Sequence, residues 1–326
     1  MSSGDVAVLK FDGVSRTFNK GNFVAVDSVS LSVTGGEVHS IIGPNGAGKT
    51  TLVKLAASIL TPSSGKVLID GMDTSITRNR ITRNIGLVIG GELGFYPRAT
   101  AKQNLHFFAD LAGISGRAAK AEVQRVLEIV ELCDRSEDRV NTFSRGMTQR
   151  LHIARALLGK PKLIIMDEPT SGLDPDIAAT IRQTIKSLAD SGHAILLTSH
   201  TMSEIEDLST RISVMGAGRV HISGTVTDVS TYAGLTATTT TTLDADAMER
   251  LEGLFQLPDI KSLRKVARGA KWDITIFWTN SVAPEEAQRL TCETIKRAGV
   301  EVPVDLVTRQ PTLEESYIAL AGELQR

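Results

Sequence analysis

The chain has 326 residues, of which 36 are Lys or Arg and 37 are Asp or Glu, giving a formal net charge of −1 at pH 7. That balance excludes a nucleic-acid binder that works through a chain-wide basic surplus, and leaves only a local basic patch open. With 41% apolar and 22% charged residues the composition argues against disorder, and the length fits two domains at about 100–200 residues each.

No window reaches the ~18 apolar residues of a membrane helix, and residues 1–10 lack a basic segment followed by an apolar run, so the chain is not expected to cross or leave through a membrane by itself. Cys133 and Cys292 match no metal-ligand spacing and give no disulfide framework, which points to a reducing cytoplasm.

Between residues 8 and 224, short β-branched runs at 38–42, 162–166, 194–198 and 212–215 alternate with helical periodicity, an α/β pattern. The first run leads into Gly43-Pro-Asn-Gly-Ala-Gly-Lys-Thr50, and Leu52, Leu55, Ala56 and Ile59 then recur with helical spacing. Gly43, Gly46 and Gly48 let successive backbone N–H groups converge on phosphate oxygens at a helix N-terminus. Lys49 adds a charge at the β- and γ-phosphates, and Thr50 offers a hydroxyl to Mg²⁺. Asn45 and Thr51 complete the candidate nucleotide contacts of this loop.

Further along, Val123, Val126, Leu127 and Val130 fall on one stripe of a predicted helix, with Glu122, Arg125, Glu128 and Glu131 facing elsewhere. The apolar strand 163–166 ends in Asp167-Glu168-Pro169, where an open parallel sheet places ligand-binding groups. Asp167 is expected to hold Mg²⁺ through its water shell, and Glu168 to orient or deprotonate the attacking water.

After Gly224 the composition shifts, and 225–234 reads as a polar connector with a short helical turn. Strand 236–243, helix 245–255, strands 260–266 and 272–278, helix 284–298 and strand 301–306 follow, the βαββαβ order of a ferredoxin-like domain. The Thr-rich run 236–242 suits a strand, and Trp272 and Trp278 share one face of theirs, which favours core over a carbohydrate platform.

Together these motifs resemble the nucleotide-binding subunit of an ABC transporter over nearly the whole chain. Phe143-Ser-Arg-Gly-Met147 is similar to that family's signature, Ser171-Gly-Leu-Asp174 to its D-loop and Thr198-Ser-His200 to its switch histidine, in matching order and spacing. The resemblance implies an α/β fold: a P-loop ATPase domain of ABC type at 1–224 with a helical signature subdomain, a linker at 225–234, and a small α+β ferredoxin-like domain at 235–326. It also implies ATP and Mg²⁺ as ligands and a head-to-tail homodimer in which Ser144 and Gly146 contact the γ-phosphate from across the interface. His200 would steady the γ-phosphate and water, Asp174 would couple the two sites, and Phe18 would stack on adenine.

Three departures from the family pattern stand out. Arg145 and Met147 replace the usual glycine and glutamine of the signature, and in 85–97 Gly91 falls at the glutamine that normally touches Mg²⁺, with Glu92 beside it. Glu92 is expected to take over that metal contact, against the alternative that it faces solvent.

One phosphate loop per chain argues against a translation-associated ABC protein, and the short, heptad-free stretch between Lys49 and Asp167 argues against a chromosome-maintenance ATPase. A soluble ABC ATPase acting on nucleic acid or ribosomes is the alternative reading; the preferred one is an ATPase subunit of an exporter, with no nucleic-acid partner. On that reading its membrane permease subunits are expected to be encoded separately, and the subunit to lie in the cytoplasm on the inner face of the membrane. The segment 96–114, with Phe107, Phe108 and Leu111, is where the resemblance places the contact with the permease.

Overall fold

The structure, a computed structural model, describes residues 6–21, 23–76, 81–89, 94–251, 257–322 and 324. By contact the chain separates into two compact units. One runs to Ser223 and takes back Leu324, and the other spans Gly224–Gly322.

Among the described residues, the first unit opens with β1 (Ala7–Phe18), β2 (Phe23–Thr34), β3 (Val38–Ile42), α1 (Lys49–Ala56), β4 (Ser64–Ile69), β5 (Met72–Asp73) and β6 (Ile85–Ile89). It continues with α2 (Ala101–Leu111), α3 (Gly116–Ile129), α4 (Arg145–Ala156), β7 (Leu163–Asp167), α5 (Pro175–Asp190), β8 (Ala194–Thr198), α6 (Met202–Leu208), β9 (Arg211–Gly216) and β10 (Arg219–Gly224). Two sheets result, a four-stranded one in the order β2-β1-β4-β5 and a six-stranded one in the order β10-β9-β3-β8-β7-β6. In the second sheet β9, β3, β8, β7 and β6 run parallel.

Both faces of the parallel sheet are covered, which explains why β3 and β8 are buried at every residue rather than at alternate ones. The period of two still decides which face a side chain joins. Ile164, Met166, Ile195 and Leu197 pack with Leu105 of α2, Val123 of α3, Leu151 of α4 and Ile181 of α5. Their neighbours Leu163, Ile165 and Leu196 pack instead with Leu52 and Leu55 of α1 and with Phe11, Val26 and Val67 of the four-stranded sheet. The stripe Val123, Val126 and Leu127 on α3 is buried as its spacing requires. Sandwiched in this way, β3, β7 and β8 end together, and their C-terminal loops form one edge.

In the second unit, α7 (Val226–Tyr232) occupies most of the segment read as a connector. Its N-terminus is closed by a capping box between Thr225 and Asp228, and Ser230 Oγ lies 2.8 Å from Ser316 Oγ. There follow β11 (Ala237–Asp244), α8 (Ala245–Leu251), β12 (Ile260–Arg268), β13 (Lys271–Trp278), α9 (Pro284–Arg297), β14 (Val307–Arg309) and α10 (Leu313–Leu320). The rest of the helix expected at 245–255 lies outside the described residues. These strands form an antiparallel sheet in the order β12-β13-β11-β14.

The Thr-rich strand β11 is central, and its buried hydroxyls are paired: Thr239 Oγ1 accepts from the Trp278 indole at 2.9 Å and lies 2.8 Å from Thr308 Oγ1, and Thr241 donates to Asp305 at 3.3 Å. Trp278 is buried, and Trp272, on the same face, packs against the same cluster, so both belong to the core. The last strand differs from expectation. Val300, Val302 and Leu306 alternate as a strand would, but they anchor an irregular segment to the core, and pairing with β11 begins only at Val307. Pro303 lies within that segment and has no N–H for a ladder.

Candidate functional site

The loop after β3 carries Gly48 at φ 101°, where it precedes the first residue of α1. A Cβ there would stand 2.3 Å from the Ala25 carbonyl oxygen, so both the left-handed backbone and the close approach call for glycine. Lys49 Nζ donates to Gly43 O at 2.6 Å and Pro44 O at 3.0 Å, which folds the side chain back over the loop. Burial pushes its ammonium below the ordinary lysine value, against the opposing pull of the Glu168 and Asp167 carboxylates.

Those carboxylates stand at the end of β7. Asp167 Oδ1 accepts from the Thr198 hydroxyl, and Glu168 N–H donates to Thr198 O at 3.0 Å. Glu168 has φ 52°, a backbone conformation that costs a non-glycine residue about 1 kcal/mol or more. It brings the carboxylate to His200, whose Nε2 lies 2.8 Å from Glu168 Oε1. One pocket is lined by Asn45, Gly46, Gly48, Lys49, Thr50 and Thr51 on one side and by Asp167, Glu168 and His200 on the other. The Thr50 hydroxyl and Asp167 carboxylate are hard oxygen donors of the kind Mg²⁺ takes.

Other candidates lie apart. Ser144 caps α4, its hydroxyl accepting from Met147 N–H at 3.2 Å, and Gly146 is buried where a Cβ would meet Ile177 Cγ2 at 2.5 Å. Asp174 is the N-cap residue of α5. None of these three is among the pocket's described lining residues. Glu92 and Gly91 lie outside the described residues, and among those described no cluster of three His, Cys, Asp or Glu side chains could hold a metal.

Phe18, expected at the adenine, is not among the pocket's described lining residues. Phe18 and Phe23 face each other in the β1–β2 register with ring centroids 6.5 Å apart, but it is Phe23 that lines the pocket. The Arg16 guanidinium lies over the Phe18 ring at 4.7 Å. Ala25 also lines the pocket without having been singled out, and Thr198 and Ser199 line it beside His200, with which they were read as one motif.

The ABC transporter family model matches residues 26–171. The daunorubicin resistance ATP-binding protein DrrA3 of Streptomyces coeruleorubidus is 31% identical over 315 residues, covering 97% of this chain and 96% of its own. The chain belongs to the ABC transporter family. The linearmycin resistance ATP-binding protein LnrL of Bacillus subtilis is 30% identical over 98% of this chain and 100% of its own. Among solved structures, CbiO1 of Clostridium perfringens, described as part of the ABC transporter complex CbiONQ, has a TM-score of 0.63 at 27% identity, covering 68% of this chain and 90% of its own. A dimeric ATP-binding cassette bound to ADP and Pi has a TM-score of 0.59 at 28% identity, covering 67% and 98%. This ABC protein is accordingly an ATP-binding transporter subunit with the ATPase fold of its family. Among its described residues no helix is long and apolar enough to cross a membrane.

Proposed function

We propose that two copies of this chain close head to tail around two ATP molecules and drive export through separately encoded membrane permease subunits. The observation that carries this reading is a division within the chain. The phosphate loop faces Asp167, Glu168 and His200 in one pocket, whereas Ser144 and Gly146 of the same chain lie outside its described lining. A second copy would supply the signature residues, so that the γ-phosphate bridges the two chains and its hydrolysis releases them. Lys49 and the loop N–H groups hold the phosphates, Glu168 accepts the proton of the attacking water, and His200 steadies Glu168 and the γ-phosphate. Thr50 and Asp167 would hold Mg²⁺, whose chemistry is charge neutralisation between phosphate oxygens. Glu92 as a further metal contact is part of the same proposal.

Tyr96, ahead of α2, and Phe107 and Leu111 on it are exposed at 57%, 40% and 68%, which supports a permease contact here and, with it, a position on the cytoplasmic face of the membrane. The resistance names of the relatives support export of a drug-like or antibiotic compound. The 224–322 unit is proposed as an accessory domain. Glu168→Gln is expected to keep ATP affinity, to lower turnover about a hundredfold or more, and to accumulate an ATP-bound dimer in gel filtration. Normal turnover in that variant removes Glu168 from its role.

A further inference from the structure

We propose that Glu204 is a positioning residue that holds the Glu168–His200 pair in register, a role that rests on the ATPase reading of this site. Glu204 is only 3% exposed, and both of its carboxylate oxygens are taken. Thr170 Oγ1 donates to Oε1 at 2.6 Å and Ser199 Oγ donates to Oε2 at 2.6 Å. Thr170 lies two residues beyond Glu168, and Ser199 immediately precedes His200. The loops after β7 and β8 are therefore tied twice. Glu168 N–H and the Thr198 hydroxyl join them at the strand ends, and Glu204 joins them again beyond the Glu168–His200 contact.

The local sequence gives Glu204 a different task. Thr201-Met-Ser-Glu204 is a capping-box pattern, in which the glutamate would turn back to the N–H of the residue that caps α6. That box is absent. Thr201 N–H donates to Ser199 Oγ at 3.1 Å instead, the Thr201 side chain caps nothing, and the Glu204 carboxylate is diverted to the two hydroxyls. Giving up a local capping bond for a tie between two loops is expected where function sets the geometry. The tie also has something to restrain, because Glu168 sits at φ 52° and relaxation of its loop would withdraw its carboxylate from His200. Thr170 O further accepts from Leu173 N–H at 3.2 Å, so the same anchor shapes the turn that leads to Asp174.

The experiment compares steady-state ATP hydrolysis and ATP binding for the full-length protein and its variants. Glu204→Ala is expected to lower kcat about ten- to a hundredfold, with ATP affinity changed by less than about twofold. Glu204→Gln, which still reaches both hydroxyls, is expected to stay within about threefold of wild type, because each hydroxyl can turn to accept as well as donate. Thr170→Val and Ser199→Ala each remove one arm and reproduce part of the loss if Glu204→Ala fails to fold. Thr170→Val added to Glu204→Ala should cost nothing more. Wild-type kcat in Glu204→Ala, a parallel fall in ATP affinity, or full additivity of the double variant overturns the positioning role while leaving the ATPase reading intact. Absence of turnover in the wild-type chain overturns both.

Discussion

At the scale of single residues, the site is a set of charges and hydroxyls held by the ends of three parallel strands. Lys49 is held over the loop by the Gly43 and Pro44 carbonyls, and burial lowers the ammonium below the ordinary lysine value. Two rings are candidates for the proposed adenine contact. Phe23 lines the pocket and is 53% exposed, whereas Phe18 carries the Arg16 guanidinium on its ring. Stacking a base on an aromatic ring contributes about 1–3 kcal/mol. Phe23→Ala is thus expected to raise the Kd for ATP about fivefold or more, and Phe18→Ala to have the smaller effect, both read by calorimetric titration. A larger loss at Phe18 would return the adenine contact to the position expected from the motif. The phosphate loop, Asp167, Glu168 and His200 were legible in the sequence because each is fixed by its own motif. Phe23 was not, since the aromatic position carries no motif beyond the ring itself.

At the scale of elements, α3 shows how a surface helix is fastened. Arg125 Nη2 and Nε donate to the two oxygens of Glu122 at 2.7 and 3.0 Å, and Gly159 N–H donates to Oε1 at 3.0 Å. The Arg125 hydrogen bond holds the Glu122 carboxyl below its ordinary value, against the effect of burial, and the Gly159 bond adds to it. A carboxyl with a lowered folded pKa contributes stability above its unfolded value of 4.5 and loses it as pH falls through the folded value. Glu122→Gln is expected to destabilise by about 1–2 kcal/mol at pH 7, with the gap from wild type closing below pH 4.5 in denaturant titrations. A gap independent of pH would mean that the charge of Glu122 does not matter. Helix and strand positions in this part of the chain were readable from periodicity. The last strand of the second unit was not, because the alternation of Val300, Val302 and Leu306 reports burial, and burial does not require a ladder.

At the scale of the whole molecule, the chain order and the spatial units do not coincide. Leu324 is buried and belongs with the ATP-binding unit, where its carbonyl oxygen lies 2.5 Å from the place a Cβ on Gly216 would occupy. Leu324→Ala is expected to cost about 2–3 kcal/mol and to shift the thermal transition of the ATP-binding unit, with the transition of 224–322 unmoved in calorimetry. A shift confined to the second unit would show that Leu324 serves it instead. In the same way, the segment read as a linker is largely α7, whose Ser230 meets Ser316 of α10.

The sequence by itself determined the α/β alternation, the phosphate loop and the acidic strand end, because these depend on local spacing and on backbone chemistry at a strand-to-helix junction. In the second unit it determined the run from β11 to α9 for the same reason, but neither α7 and α10 nor the position of the last strand. Only the tertiary structure decided which aromatic ring faces the pocket, that the Thr-rich strand is central with its buried hydroxyls paired, and that Glu204 leaves its capping position to tie two loops. Each of those depends on which strand lies beside which, and β7 and β8 become neighbours only through a crossover of the intervening α5.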